Sequence, residues 1–217
     1  MKIAFLLYEQ LTALDAIGPY EVLSRLPGAE VVFTGKEKGL VRTDTGSLGL
    51  SVDHTLEEVS ESDIVLVPGG AGTRPLLTDE TVLDWLRAID KTTKWTTSVC
   101  TGSLLLAAAG LLDGRPATSH WIWRDALAAF GAKPVEQRVV VDDKYVTAAG
   151  VASGIDMALE LTRLECGDEV AQAIQLGIEY DPDPPFDVGS PASAPPELVA
   201  SLREMAQSDP ALQLSQS

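Results

Sequence analysis

Two cysteines, Cys100 and Cys166, and two histidines, His54 and His120, are the whole supply of thiolate or imidazole ligands in this sequence of 217 residues. So few make neither a disulfide framework nor a zinc cluster, and scattered carboxylates would have to complete any metal site. No metal is expected. Basic residues are scarce as well: 16 lysines and arginines face 32 aspartates and glutamates, for a net charge of −16. Such a surface repels nucleic acid and anionic membranes, and no Lys/Arg cluster offers a local exception. Long apolar runs are also missing, since no stretch approaches the roughly 18 residues of a membrane span. The opening MKIAFLLYEQLTALD has one lysine and no small-residue cleavage site, so it reads as a buried first strand rather than a signal peptide. These absences lead to the expectation of a cytoplasmic protein without a nucleic-acid or membrane partner.

What is present is the composition of an ordinary globular chain, 45% hydrophobic and 22% charged, long enough to bury a full core in one domain. Short apolar runs alternate with helical patterns. Strands are predicted at Lys2–Tyr8, Glu30–Gly35, Asp63–Val67 and Thr92–Val99, with a β-rich excursion over Gly39–Asp53. Helices are predicted near Asp15–Leu26, at Glu80–Lys91, where Val82, Trp85, Leu86 and Ile89 fall at helical spacing, and at Ser103–Leu112. Ile122–Phe130 also reads as helical and Val135–Val140 as extended, before a turn and strand in DDKYVTAAG. Gly154–Leu164 and Asp168 to about Ile178 complete the helical set. Strands separated by helices indicate parallel βαβ units in an α/β sandwich.

Six prolines between Pro182 and Pro196 stop the preceding helix and predict a surface crossing, followed by a short helix at Glu197–Ala206. The domain is expected to span residues 1–206, with a flexible tail at 207–217. PGGAG after a strand lacks the GxxxxGK[ST] pattern of a phosphate loop, and Gly18–Pro19 suits a plain turn. No nucleotide or other cofactor is expected.

The informative stretch is KWTTSVCTGSLLLAAAGLL, where Cys100 stands between a strand and a helix. Reactive groups in open parallel sheets collect beyond the carboxyl ends of strands, and a sharp strand-to-helix turn projects its residue outward. A helix start also offers unpaired N–H groups and a positive dipole end, which favour thiolate. The same position suits an inert thiol packed as a small hydrophobe, so the local pattern leaves both readings open. Cys166, in TRLECGD, lacks the elbow setting.

SVCTGSLLLAAAGLLDGRPATSHW, LTALDAIGPYEVL and VLVPGGAG together resemble the DJ-1/PfpI superfamily. RVVVDDKYVTAAGVASGIDMALEL and QLGIEYDPDPPFDVGSP are similar to its isonitrile hydratase group. That resemblance implies a single-domain flavodoxin-like α/β sandwich with a mostly parallel sheet, a nucleophile elbow and a homodimeric assembly. It assigns Cys100 as nucleophile, Asp15 as the acid beside it, Thr101 as the residue after the nucleophile and Gly70 as part of the loop facing the site. His120 matches a histidine region of the wider family, but no Cys–His–Asp triad follows from the spacing. Many relatives carry glutamate where this chain has Asp15, which weakens transfer of glyoxalase or deglycase activity. Some precede a DNA-binding helix-turn-helix module, and none is expected here.

The reaction implied is hydration of a small isonitrile to an N-substituted formamide through a cysteine-bound thioimidate, without cofactor. A glyoxalase or deglycase, a stress protein with an oxidisable thiol, and a non-enzymatic dimer are the alternatives.

Overall fold

The computed structural model describes residues 1–208 of the chain. Its centre is set by two short apolar strands, β1 (Lys2–Leu6) and, further along, Ile64–Val67, whose residues Ile3–Leu6 and Ile64–Val67 are all at most 1% exposed. Strands buried on both faces read as continuous apolar runs, the mark of the middle of a parallel sheet.

From β1 the chain enters α1 (Ala13–Leu23) and β2 (Glu30–Gly35). A hairpin follows, β3 (Gly39–Arg42) with β4 (Gly49–Val52), and then the short β5 (His54–Thr55) and the central β6 (Ile64–Val67). Helices α2 (Thr73–Leu76) and α3 (Glu80–Ile89) lead to β7 (Trp95–Val99) and α4 (Gly102–Ala108). The remainder of this part holds β8 (Pro116–Ala117), a 3-10 helix at Arg124–Phe130, β9 (Lys133–Pro134), β10 (Val139–Asp142), β11 (Tyr145–Ala148), α5 (Ser153–Cys166) and α6 (Asp168–Gly177).

Seven strands form the main sheet in the order β10-β11-β7-β6-β1-β2-β5. All neighbours are parallel except β10 and β11. The register sets Phe5 beside Leu66, Leu66 beside Thr97 and Val99 beside Ala148, so β1, β6, β7 and β11 release their following loops at one edge. β3–β4 and β8–β9 are separate two-stranded ribbons. Helix α1 packs on α5 and α5 on α6, while α4 packs against α2 and α3. The entry to α3 is fixed by Asp79, whose carboxylate accepts from the amides of Thr81 and Val82, satisfying first-turn donors.

The predicted α/β sandwich is thus observed. The strand at Val135–Val140 begins later, at Val139, and the helix at Ser103–Leu112 stops at Ala108, where Ala109–Gly110 turn the chain and Gly110 takes φ +81°. The helical stretch at Ile122–Phe130 is a 3-10 helix closed by Gly131 at φ 82°.

The chain divides into two compact units, the first being residues 1–178 and the second beginning at Glu179. The second opens on turns and bends through the prolines and then forms α7 (Pro196–Ser208). The expected tail lies, from residue 209 onward, outside the described residues. Among the described residues no helix is long and apolar enough to cross a membrane.

Candidate active site

Cys100 follows β7 directly with φ +57°, the left-handed region that costs a side-chain-bearing residue about 1–2 kcal/mol. Local bonds hold it there. Its N–H donates to the carbonyls of Ala148 and Ala149 at 3.2 and 2.8 Å, and its own carbonyl accepts from Ser103 Oγ at 3.1 Å and Ser119 Oγ at 2.9 Å. The turn also requires Gly102, because a Cβ there would lie 2.1 Å from the Val67 carbonyl oxygen. The residues after Cys100 therefore leave the strand sharply and start α4.

Asp15 comes from the first turn of α1 and is fully buried. Its Oδ2 accepts the Gly69 N–H at 2.9 Å and its Oδ1 has no hydrogen-bond partner among the described residues, while the carboxyl and the Cys100 thiol lie close enough to bear on each other's ionisation. Pro19, one turn along, has no N–H to return to the Asp15 carbonyl, a gap in the α1 ladder directly behind the acid.

Burial pushes the Asp15 carboxyl up from 3.8 to about 7, with the Gly69 amide and the thiol opposing and the nearby Asp44 carboxylate adding to the rise. Burial likewise pushes the Cys100 thiol well above its usual value, reinforced by the Asp15 charge. The expectation that the helix start would favour thiolate is therefore outweighed: α4 has only seven residues, and desolvation beside a carboxylate dominates. Two backbone N–H groups, of Thr101 and Val151, do point to sulfur and favour its charge. Near neutrality the thiol nevertheless keeps its proton while the carboxyl beside it is partly ionised.

Gly70 has φ +133° because a Cβ would lie 2.5 Å from both Gln10 O and Thr12 N. The loop was expected to face the site, but the Gly70 N–H goes to Thr101 Oγ1 at 3.0 Å. Thr101 Oγ1 also meets Thr73 Oγ1 at 2.9 Å, and Thr73 meets the Tyr8 hydroxyl at 3.1 Å. His120 lies in the next loop, where Nδ1 accepts the Ile122 N–H at 3.3 Å and the ring closes against Gly150 and Trp121. Burial lowers its pKa, which keeps the imidazole neutral. Among the described residues it makes no hydrogen bond to Cys100 or Asp15.

Of these interacting groups Cys100, Asp15, Thr101 and Gly70 were expected from the sequence, whereas Gly69, Val151, Thr73 and Tyr8 were passed over. Gly69 had a visible signal, the first glycine of PGG. Val151 follows a strand end, the general place for a site. Thr73 and Tyr8 carried none.

A cysteine elbow at the carboxyl edge of a parallel sheet, facing a buried acid, defines a nucleophile-elbow α/β protein. The chain belongs to the DJ-1/PfpI family, whose pattern it matches over residues 1–164. It is 46% identical over 206 residues to the isonitrile hydratase of Pseudomonas putida, covering 95% of this chain and 90% of that one. Deglycase PfpI of Pyrococcus furiosus is 33% identical over 152 residues, 68% of this chain and 89% of that one. Among solved structures, a THiJ/PfpI family protein from Pseudomonas syringae superposes with a TM-score of 0.91 at 39% identity, covering 94% of this chain and 85% of that one.

Proposed function

We propose that this protein is an isonitrile hydratase, converting R–N≡C and water to R–NH–CHO with Cys100 as nucleophile and Asp15 as proton donor. The observation that carries the reading is the fully buried Asp15 carboxyl, which ionises only near pH 7 and shares its surroundings with the Cys100 thiol. An aspartate in water has lost its proton three pH units earlier, so this fold maintains an acid where neutral-pH chemistry can use it. The similarity to the Pseudomonas putida enzyme over nearly the whole chain supports the same reaction.

The terminal isonitrile carbon is electrophilic and carbene-like. The Asp15 carboxylate takes the thiol proton, sulfur bonds to that carbon, and Asp15 passes the same proton to it, giving the thioimidate Cys–S–CH=N–R and again an Asp15 carboxylate. The Thr101 and Val151 amides stabilise the sulfur charge before attack. Water then adds to the carbon, its proton is taken up by Asp15 and the nitrogen gains one. Collapse of the adduct breaks C–S, releases the formamide and restores the pair. One hard hydration becomes two assisted steps. His120 serves the loop rather than the proton transfers.

In this reading the enzyme spans residues 1–206, needs no cofactor and works as a cytoplasmic homodimer. Leu14, adjacent to Asp15, is 39% exposed in the single chain, and a partner packed there would shield it from water. Two free cysteines suit a reducing compartment.

The direct test is product analysis with a small alkyl or aryl isonitrile. Formamide from wild type, none from Cys100→Ser, and an isonitrile adduct trapped on Cys100 are expected. Methylglyoxal turnover without isonitrile hydration would sink the hydratase reading in favour of a deglycase or glyoxalase. Sedimentation over a concentration series checks the dimer, and a monomer at micromolar concentration would overturn it.

A further inference from the structure

Three buried hydroxyls, of Tyr8, Thr73 and Thr101, form a chain that ends beside the nucleophile. Counting protons along it fixes its direction. The Tyr8 hydroxyl lies 2.6 Å from the Pro68 carbonyl oxygen, which can only accept, so the single tyrosine proton is committed there. At 3.1 Å from Thr73 Oγ1, Tyr8 is then left as the acceptor and Thr73 donates. The reverse would set two lone pairs against each other in a dry site. Thr73 Oγ1, its proton given away, accepts from Thr101 Oγ1 at 2.9 Å. The other candidate acceptor for the Thr101 proton, the Gly70 carbonyl, is 3.4 Å away, outside the range of a good O–H···O bond. Finally, the Gly70 N–H occupies one lone pair of Thr101 Oγ1 at 3.0 Å.

Thr101 is thereby left with no proton to offer and one free lone pair. Nor does its side chain cap α4, as a threonine in that position ordinarily would. A hydroxyl so arranged cannot stabilise an anionic intermediate by donation. It can only receive a hydrogen bond.

Resting on the hydratase reading, we infer that Thr101 accepts a hydrogen bond from the hydrolytic water, and that Tyr8 and Thr73 are positioning residues that keep it an acceptor. Water attacking the thioimidate gives one proton to the Asp15 carboxylate formed in the first step. Its second O–H stays intact and is held by Thr101 Oγ1, which aims an oxygen lone pair at the carbon. The oxygen–carbon bond forms, the C=N electron pair moves to nitrogen, and nitrogen takes its proton back from Asp15. Thr101 exchanges no proton. The hydroxyl chain consequently serves the second step and leaves the first, attack by sulfur, untouched.

The kinetic signature is specific. Slowing only the breakdown of a covalent intermediate lowers kcat and KM together, preserves kcat/KM and lets the intermediate accumulate. Thr73→Val keeps the shape and removes the hydroxyl, and Tyr8→Phe removes the terminus of the chain while keeping the ring. In each, kcat for isonitrile hydration is expected to fall about tenfold to a hundredfold, with KM falling in parallel. Intact-mass measurement during turnover should show protein carrying one isonitrile on Cys100. Thr73→Ser, with the hydroxyl restored, should recover most of the wild-type kcat and lose the accumulated adduct. A merely structural role predicts something different: kcat/KM falls as far as kcat, no adduct builds up, and serine rescues no better than valine. Any of those three results, or a Thr73→Val enzyme as fast as wild type, overturns the inference. Wild type giving neither formamide nor adduct overturns the hydratase reading itself, a separate outcome from active wild type with unresponsive variants.

Discussion

Gly69 donates its backbone N–H to Oδ2 of Asp15 at 2.9 Å, and its α-carbon sits so close to the elbow that a methyl group there would lie 2.5 Å from the Thr101 amide nitrogen. The same methyl would stand 2.9 Å from Cys100 Cβ. One residue thus sets the distance between the Asp15 carboxyl and the Cys100 thiol from both sides, by a hydrogen bond to one and by the absence of a side chain against the other.

Gly69→Ala should therefore injure the site more than the fold. The methyl has backbone on its far side and cannot be absorbed by a rotamer change, so the loop or the elbow has to move. Overpacking of this kind costs about 1–3 kcal/mol, and displacement of the reacting atoms should lower the hydration rate about a hundredfold. Gly110→Ala is the control. Gly110 has φ +81° but nothing within 4 Å of an added Cβ, so it should lose about 1 kcal/mol from backbone strain alone and keep its activity. Equal activity losses in the two variants, read beside thermal melts, would remove the special role of Gly69.

Cys100 itself stores strain. At φ +57° any side chain pays a penalty that glycine does not. Cys100→Gly should be more stable than Cys100→Ala by about 1 kcal/mol, the reverse of the order expected within a regular helix. Both variants should be inactive. Alanine proving the more stable in chemical denaturation would mean that the elbow relaxes once sulfur is gone.

The strands were legible because they are buried on both faces: IVLV and IAFL leave little else to be, and the cysteine between WTTSV and a helical run marked the elbow. Asp15 came from resemblance, since an aspartate at a helix start is ordinarily an exposed cap. The hydroxyl chain was not legible. Tyr8, Thr73 and Thr101 lie on three different segments, and threonine in a loop has many roles, so only folding brings their oxygens to within 3.1 Å of one another in sequence along the chain. The thiol's electrostatics were misjudged for a related reason. A helix start is visible in sequence, whereas the depth of burial that outweighs it is not.

His120 gives a negative prediction. Its Nδ1 is occupied by the Ile122 amide, and burial holds the ring neutral. It packs edge-on against Gly150, next to the residue whose amide faces sulfur, so its volume matters more than its proton. His120→Gln should keep kcat within about threefold, and no limb of the pH–rate profile should disappear. A rate loss of a hundredfold, or loss of the acid limb, would return His120 to the proton-transfer machinery.

Asp15→Asn should trade activity for stability, and the trade should depend on pH in a defined direction. The carboxyl ionises near 3.8 when unfolded and near 7 in the fold. Between those values the folded protein holds a proton that the unfolded chain has released, so wild-type stability falls as pH rises from about 4 to about 7 and is level above. The rise is worth on the order of 4 kcal/mol at pH 8. Asparagine fills the same space, still accepts from Gly69 and never has to carry a buried charge. It should match wild type near pH 4 and exceed it in melting temperature at pH 8. Hydration should fall about a hundredfold or more, because the amide has no carboxylic proton to give the isonitrile carbon. Wild-type kcat should itself decline below pH 7, where Asp15 already holds a proton and cannot take the one on the Cys100 thiol. Parallel melting curves for the two proteins at pH 4.5 and 8.5 would show that Asp15 is not a strained acid, and the proton-donor role would lose its physical basis.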